Sequence, residues 1–345
     1  MNTTKKNKGF LIFTILFYVA AIAGMAVGTV NDLQIDMALF NPESNFAQLL
    51  ESFGQLVYWA MWGPAITIIF LCRRDLNESL AVINKLIPAI KPIENTDNKT
   101  YKFFNFIVRA VTTVGFFVLA MVGWKKLIEN VIKNILLTLG KDDLSQVVYF
   151  TVCTVFTLVI VLLCRNLDKE KLRKVEALAL AGVLLGICFK IVEECKNITC
   201  RVRFREMVAY SNNFLNDKGL SEGKYSPLTS AMAQNADFSA FTRWYKIGDD
   251  MGIYNRADSF PSGHTTYSMS LLMAYPLCRA FTKLKSLAPF ALLVSIAYTI
   301  VMGFSRMVAG AHYLTDVVGA AIIGYTLFLI VLAIYNKFTE KKIIG

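Results

Sequence analysis

The sequence predicts an all-α integral membrane protein with about eight transmembrane helices. Three observations lead there. The 345 residues are 55% hydrophobic and only 18% charged. The apolar residues fall in blocks close to the ~20 residues that carry a helix across ~30 Å of hydrocarbon. The Lys and Arg residues gather in alternate connections between those blocks, which is the pattern of cytoplasmic loops. Backbone groups in lipid must be satisfied within their own segment, so the blocks are read as helices. The net charge of +11 belongs to the same pattern, which argues against a nucleic-acid partner.

Taken in order, Met1–Lys8 is short and basic, and Gly9–Val30 is the first apolar block. That block is too long for a signal-peptide core and lacks a small-residue cleavage site, so it is read as a retained helix. Asn31–Gly54 carries Asp32, Asp36, Glu43 and Glu51 and no Lys or Arg. Gln55–Cys72 is the second span, Arg73–Lys102 is basic, and Phe103–Trp124 is the third span. Lys125–Gln146 is mixed in charge and partly amphipathic, which suits the membrane interface. Val147–Cys164 and Val175–Val192 are the fourth and fifth spans, joined by the strongly basic Arg165–Lys174. Glu193–Phe260 is a long polar segment. His264–Arg279, Leu287–Gly303 and Asp316–Tyr335 complete the spans, and the tail holds Lys337, Lys341 and Lys342.

This order divides the chain into two N-terminal helices with their basic loop (residues 1–102), a six-helix core (103–336) containing the long loop 193–260, and a basic tail (337–345). The Lys/Arg count puts both termini in the cytoplasm and the 193–260 loop outside. The absence of organelle signals suggests a bacterial plasma membrane. Of the 7 cysteines, Cys72, Cys153, Cys164, Cys188 and Cys278 lie in apolar blocks and are read as small hydrophobes. No CxxC pair indicates a zinc or redox site. Cys195 and Cys200, near an outer helix end, leave a disulfide as an option.

The chain has 2 histidines, and both stand in polar, glycine-containing turns at helix mouths. His264 follows Pro261-Ser262-Gly263. His312 follows Ser305-Arg306 and precedes Asp316 by four residues. At that spacing on a helix, a carboxylate can hold one ring nitrogen's proton and leave the other nitrogen as a nucleophile. Gly263 lets the backbone approach an anion, and the helix opened by Ser262 suits a phosphate. Lys196, Arg203 and Arg306 add cationic donors. Together these groups describe phosphoryl transfer without a metal or other cofactor.

These residues resemble the signature of the type 2 phosphatidic acid phosphatase superfamily, which includes membrane lipid phosphatases, glucose-6-phosphatase and vanadium haloperoxidases. Its Lys-x6-Arg-Pro, Pro-Ser-Gly-His and Ser-Arg-x5-His-x3-Asp motifs read here as Lys196 to Arg203-Phe204, Pro261 to His264, and Ser305-Arg306 to His312 and Asp316. Phe204 replaces the family's proline. The resemblance implies that His312 attacks phosphorus, Asp316 orients it, and His264 protonates the leaving oxygen. It also implies that Lys196, Arg203, Ser262, Gly263 and Arg306 bind the phosphate oxygens. The implied substrate is a lipid phosphate or pyrophosphate drawn from the surrounding membrane lipids, with a soluble sugar phosphate the lesser option. A phosphotransferase using the same site and a non-catalytic phosphate or lipid transporter are the alternatives. Oligomeric state stays open.

Other polar residues are read more plainly. Arg201 and Arg205 are expected to be solvated or to face headgroups, and Lys190 and Arg109 to snorkel. Asp142-Asp143 and Asp249-Asp250 lack the spacing of metal-binding carboxylate motifs. Trp244 and Tyr245 suit either a substrate entrance or an interface anchor.

Overall fold

A computed structural model describes residues 3–72, 76–77, 80, 84, 89, 91, 93–138, 142–164, 168–213, 228–248 and 257–339. Most of these residues are helical, with no strand among them. The helices are α1 (Thr3–Leu39), α2 (Asn45–Phe53), α3 (Leu56–Leu71), α4 (Lys99–Thr138), α5 (Gln146–Cys164), α6 (Lys169–Cys188), α7 (Lys190–Thr199), α8 (Phe204–Ser211), α9 (Gly263–Ser268), α10 (Ala274–Ala280), α11 (Ala288–Val308) and α12 (Leu314–Phe338). Short 3-10 turns cover Ser230–Asn235, Met269–Met273 and Thr282–Leu287.

Among the described residues, 7 helical stretches are long and apolar enough to cross a membrane. The eighth expected crossing, at His264–Arg279, is a broken rod of α9, a 3-10 turn and α10. Large apolar side chains such as Leu11, Phe103, Val147 and Phe290 are exposed on the outer faces. Lipid covers such faces at no cost, which is why these helices need no amphipathic stripe.

Two expected boundaries move. The first helix does not stop at Val30 but runs to Leu39, carrying Asp32 and Asp36 into the protein, where both are buried. The third does not stop at Trp124 but continues through the mixed-charge stretch as one helix of 40 residues. Charge does not break it, because Lys125 Nζ pairs with Glu129 one turn on at 2.8 Å.

Lipid supplies no hydrophobic drive between helices, so polar contacts and close packing hold them. α1 lies along α12 through Thr14 Oγ1 to Tyr325 Oη at 2.9 Å and Tyr18 Oη to Thr326 Oγ1 at 2.8 Å. Trp124 Nε1 on α4 donates to Thr67 Oγ1 on α3 at 3.0 Å. Tyr58, Leu185, Phe189, Tyr267, Tyr325 and Phe328 form the central core from α3, α6, α9 and α12. A second core, around Phe40, Phe204, Met207, Leu228 and Tyr313, sits beside the three motifs.

Candidate active site

The three motif segments are stitched to one another by backbone hydrogen bonds. Ser259 N donates to Arg201 O at 2.9 Å, Ser262 N to Asp316 O at 3.1 Å, and Arg205 N to Gly310 O at 2.8 Å. Gly310 makes the turn before His312 at φ +62°, a left-handed conformation that favours glycine. Phe204 takes the first position of α8, where proline is favoured because that N–H has no helical acceptor. It stacks on Phe238 with centroids 4.9 Å apart. The departure from proline therefore exchanges a pre-set dihedral for aromatic packing at the same helix start.

His312 is buried and precedes α12 rather than lying on it. Its Nδ1 is 2.6 Å from the Ser259 carbonyl and 3.9 Å from Asp316 Oδ2. A carbonyl only accepts, so Nδ1 carries the proton and Nε2 keeps its lone pair. The same-face helical pairing expected of His312 and Asp316 is thus replaced by a bridge through Ser259. Its carbonyl holds the ring, and its hydroxyl donates to Asp316 Oδ2 at 2.5 Å. Asp316 also accepts from Tyr313 N at 2.8 Å, which caps the start of α12. Burial, followed by the charges of Arg203, Lys196, Arg306 and His264, pushes the His312 pKa well below the usual histidine value. Those four groups therefore lie within electrostatic reach of the ring, which is neutral at pH 7.

His264 sits at the start of α9, capped by Ser262 Oγ accepting from Thr265 N at 3.4 Å. Its Nε2 is 3.2 Å from the Glu51 carbonyl, and Gln55 Nε2 is 3.4 Å from its Nδ1. Both contacts are met when Nε2–H donates to Glu51 O and Nδ1 accepts from Gln55. Lys196 Nζ lies over Gly263, and a methyl group at Gly263 would come within 3.3 Å of it. Lys196, Arg203 and Arg306 are all buried. Arg203 pairs with Asp258 at 2.9 Å, Lys196 with Asp258 at 3.9 Å, and Arg306 with Glu51 at 3.0 Å.

Arg201 and Arg205 are not solvated. Arg201 is fully buried, pairing with Asp316 at 2.5 Å and Asp32 at 2.9 Å, donating to Thr315 Oγ1, and lying 4.0 Å from the Tyr313 ring centre. Burial works against its charge, but Asp316, Tyr313 and Asp32 outweigh that and raise its pKa. Arg205 is buried and pairs with Glu51 at 3.1 Å. Both arginines meet carboxylates brought by α1 and α2, which no motif spacing reveals. The alternation of arginines with Val202 and Phe204 across 201–205 is the one local trace of that burial.

Trp244 does not choose between its two readings, because it packs on α1, donating to Thr29 Oγ1 at 2.9 Å and stacking on Phe260. Cys195 and Cys200 are free thiols, so the disulfide option is not taken. Asp249-Asp250 lie outside the described residues. Among the described residues, no three His, Cys, Asp or Glu side chains are grouped to hold a metal.

The fold and the site thus define a helical membrane protein that brings two histidines and several buried cations close together. Residues 220–340 match the family model of the PAP2 superfamily, the family that the three motifs resemble. The match takes in His264, Arg306, His312 and Asp316, while Lys196 and Arg203 stand ahead of it. No curated protein and no solved structure matches the chain.

Proposed function

We propose that this protein is a membrane-embedded phosphatase that cleaves a lipid-linked phosphomonoester or pyrophosphate through a phosphohistidine, without a metal. The observation that carries this reading is the His312 ring. Its Nδ1 proton is held by a backbone carbonyl, which leaves the Nε2 lone pair free, and the charges of Arg203, Lys196 and Arg306 act on the ring. A binding protein needs the cations but not a neutral, oriented imidazole.

In the first half-reaction, the Nε2 lone pair of His312 forms a bond to phosphorus as the bond to the leaving oxygen breaks. That oxygen takes a proton from His264, which acquires it together with the anionic substrate, since burial and then the Arg306 charge hold the ring's pKa down to about 3. Water then attacks phosphorus and gives a proton to His264, and the electron pair of the P–N bond returns to His312. Lys196, Arg203, Arg306, Ser262 and the Gly263 backbone hold the equatorial oxygens, whose charge rises in the five-coordinate transition state. The lipid substrate is supported by the site's place at helix mouths, and the extracytoplasmic side by the Lys/Arg distribution.

The test is phosphate release by detergent-solubilised protein in EDTA across lipid and sugar phosphates. Release should persist in EDTA, fall with vanadate, and drop by at least about a thousandfold in His312→Ala. Acid-labile label on the wild-type protein, absent in that variant, would identify the intermediate. Normal turnover by His312→Ala sinks the proposal.

A further inference from the structure

Glu51 belongs to α2, outside all three motifs, yet its Oε1 lies between two guanidinium groups. Arg306 Nη2 is 3.0 Å away and Arg205 Nη1 is 3.1 Å away. Arg306 belongs to the phosphate-binding set of the proposed mechanism, and Arg205 belongs to no motif. Arg205 is buried, and its Nε and Nη2 have no hydrogen-bond partner among the described residues. A carboxylate oxygen bracketed by two arginines has the charge and coordination of an anionic phosphate oxygen in such a site.

We propose that Glu51 competes with the substrate's phosphate for Arg306 and Arg205, and that Arg205 is a further phosphate-binding residue. This rests on the reading of the motif cluster as a phosphate site. A phosphate bound there would meet Glu51 at close range, and like charges at that range repel strongly in a site sheltered from water. The carboxylate therefore has to leave its two arginines as phosphate arrives. Its backbone cannot follow. Asn134 Nδ2 donates to Ser52 O at 2.6 Å, Tyr298 Oη donates to Gly54 O at 2.9 Å, and His264 Nε2 donates to Glu51 O at 3.2 Å. The exchange is a side-chain rotation, and the Glu51 side chain, 19% exposed, has a way out. Asp258 balances Lys196 and Arg203 on the other side, but it is 39% exposed, so water screens it and the competition it offers is weaker.

The experiment is binding of inorganic phosphate to the full-length protein in detergent, by titration calorimetry, for wild type, E51Q and the double variant E51Q/R205A. E51Q should bind phosphate more tightly than wild type, on the order of tenfold, the scale of one close charge pair. E51Q/R205A should lose most of that gain. If E51Q does not fold, Glu51→Asp keeps the charge but shortens its reach, and it too should bind more tightly than wild type. Equal or weaker binding by E51Q or Glu51→Asp overturns the proposal while leaving the phosphatase reading in place. A gain that survives loss of Arg205 shows a general charge effect and overturns it as well. No phosphate binding by any form overturns both readings together.

Discussion

Ser259 touches both members of the histidine–carboxylate pair, holding the His312 ring through its carbonyl and Asp316 through its hydroxyl. Ser259→Ala keeps the carbonyl and removes only the tether. It should lower kcat by roughly 10- to 100-fold with little change in KM, as loss of an orienting partner does. Steady-state kcat and KM, normalised to active sites counted by phosphohistidine labelling, check this, since misfolding would lower the number of sites rather than the turnover of each. His312 also sets a pH dependence. Its folded pKa lies well below the ordinary 6.5, so the unfolded chain binds more protons as pH falls through that value. Stability should therefore fall as pH drops below 6.5, and His312→Gln should flatten that slope in melts taken between pH 7 and pH 5. The histidines and motif cations were legible because their spacing is local. Ser259, Glu51, Gln55 and Asp32 were not, because each is defined by a partner far along the chain.

At the scale of elements, hydropathy located the spans well but misplaced ends where charge is buried or paired. A sequence with Lys125, Lys126 and Glu129 reads as a helix end, yet an i,i+4 pair lets α4 run on for roughly 60 Å at 1.5 Å per residue. The α9–α10 region shows the reverse, an apolar stretch that breaks into short pieces. The turn from α11 to α12 is the most constrained connection near the site. At Gly310, a φ of +62° combines with Phe40 carbons 2.6 Å from where a methyl group would sit. Gly310→Ala should cost about 1–3 kcal/mol and lower the melting temperature in detergent. It should also reduce activity, because the same turn carries His312.

The whole molecule joins its first helix to its last through a buried guanidinium. Arg201 lies between Asp32 of α1 and Asp316 of α12, and removing either carboxylate leaves charge unpaired away from water. Asp32→Ala should destabilise by about 3–5 kcal/mol, as breaking buried pairs does. Asp32→Ala and Arg201→Ala together should cost less than their sum, a non-additivity that a double-mutant melting cycle measures. Net charge and loop counting reach topology, but they cannot see this pairing, since Asp32 and Arg201 read as ordinary loop charges and Asp316 as the partner of His312.

The order of synthesis gives that pairing a meaning. Asp32 leaves the ribosome first, Arg201 midway and Asp316 near the end, so the arginine enters its burial site with one partner waiting and the other not yet made. A chain stopped short of α12, or one whose first helix failed to insert, leaves this guanidinium with one of its two carboxylates missing.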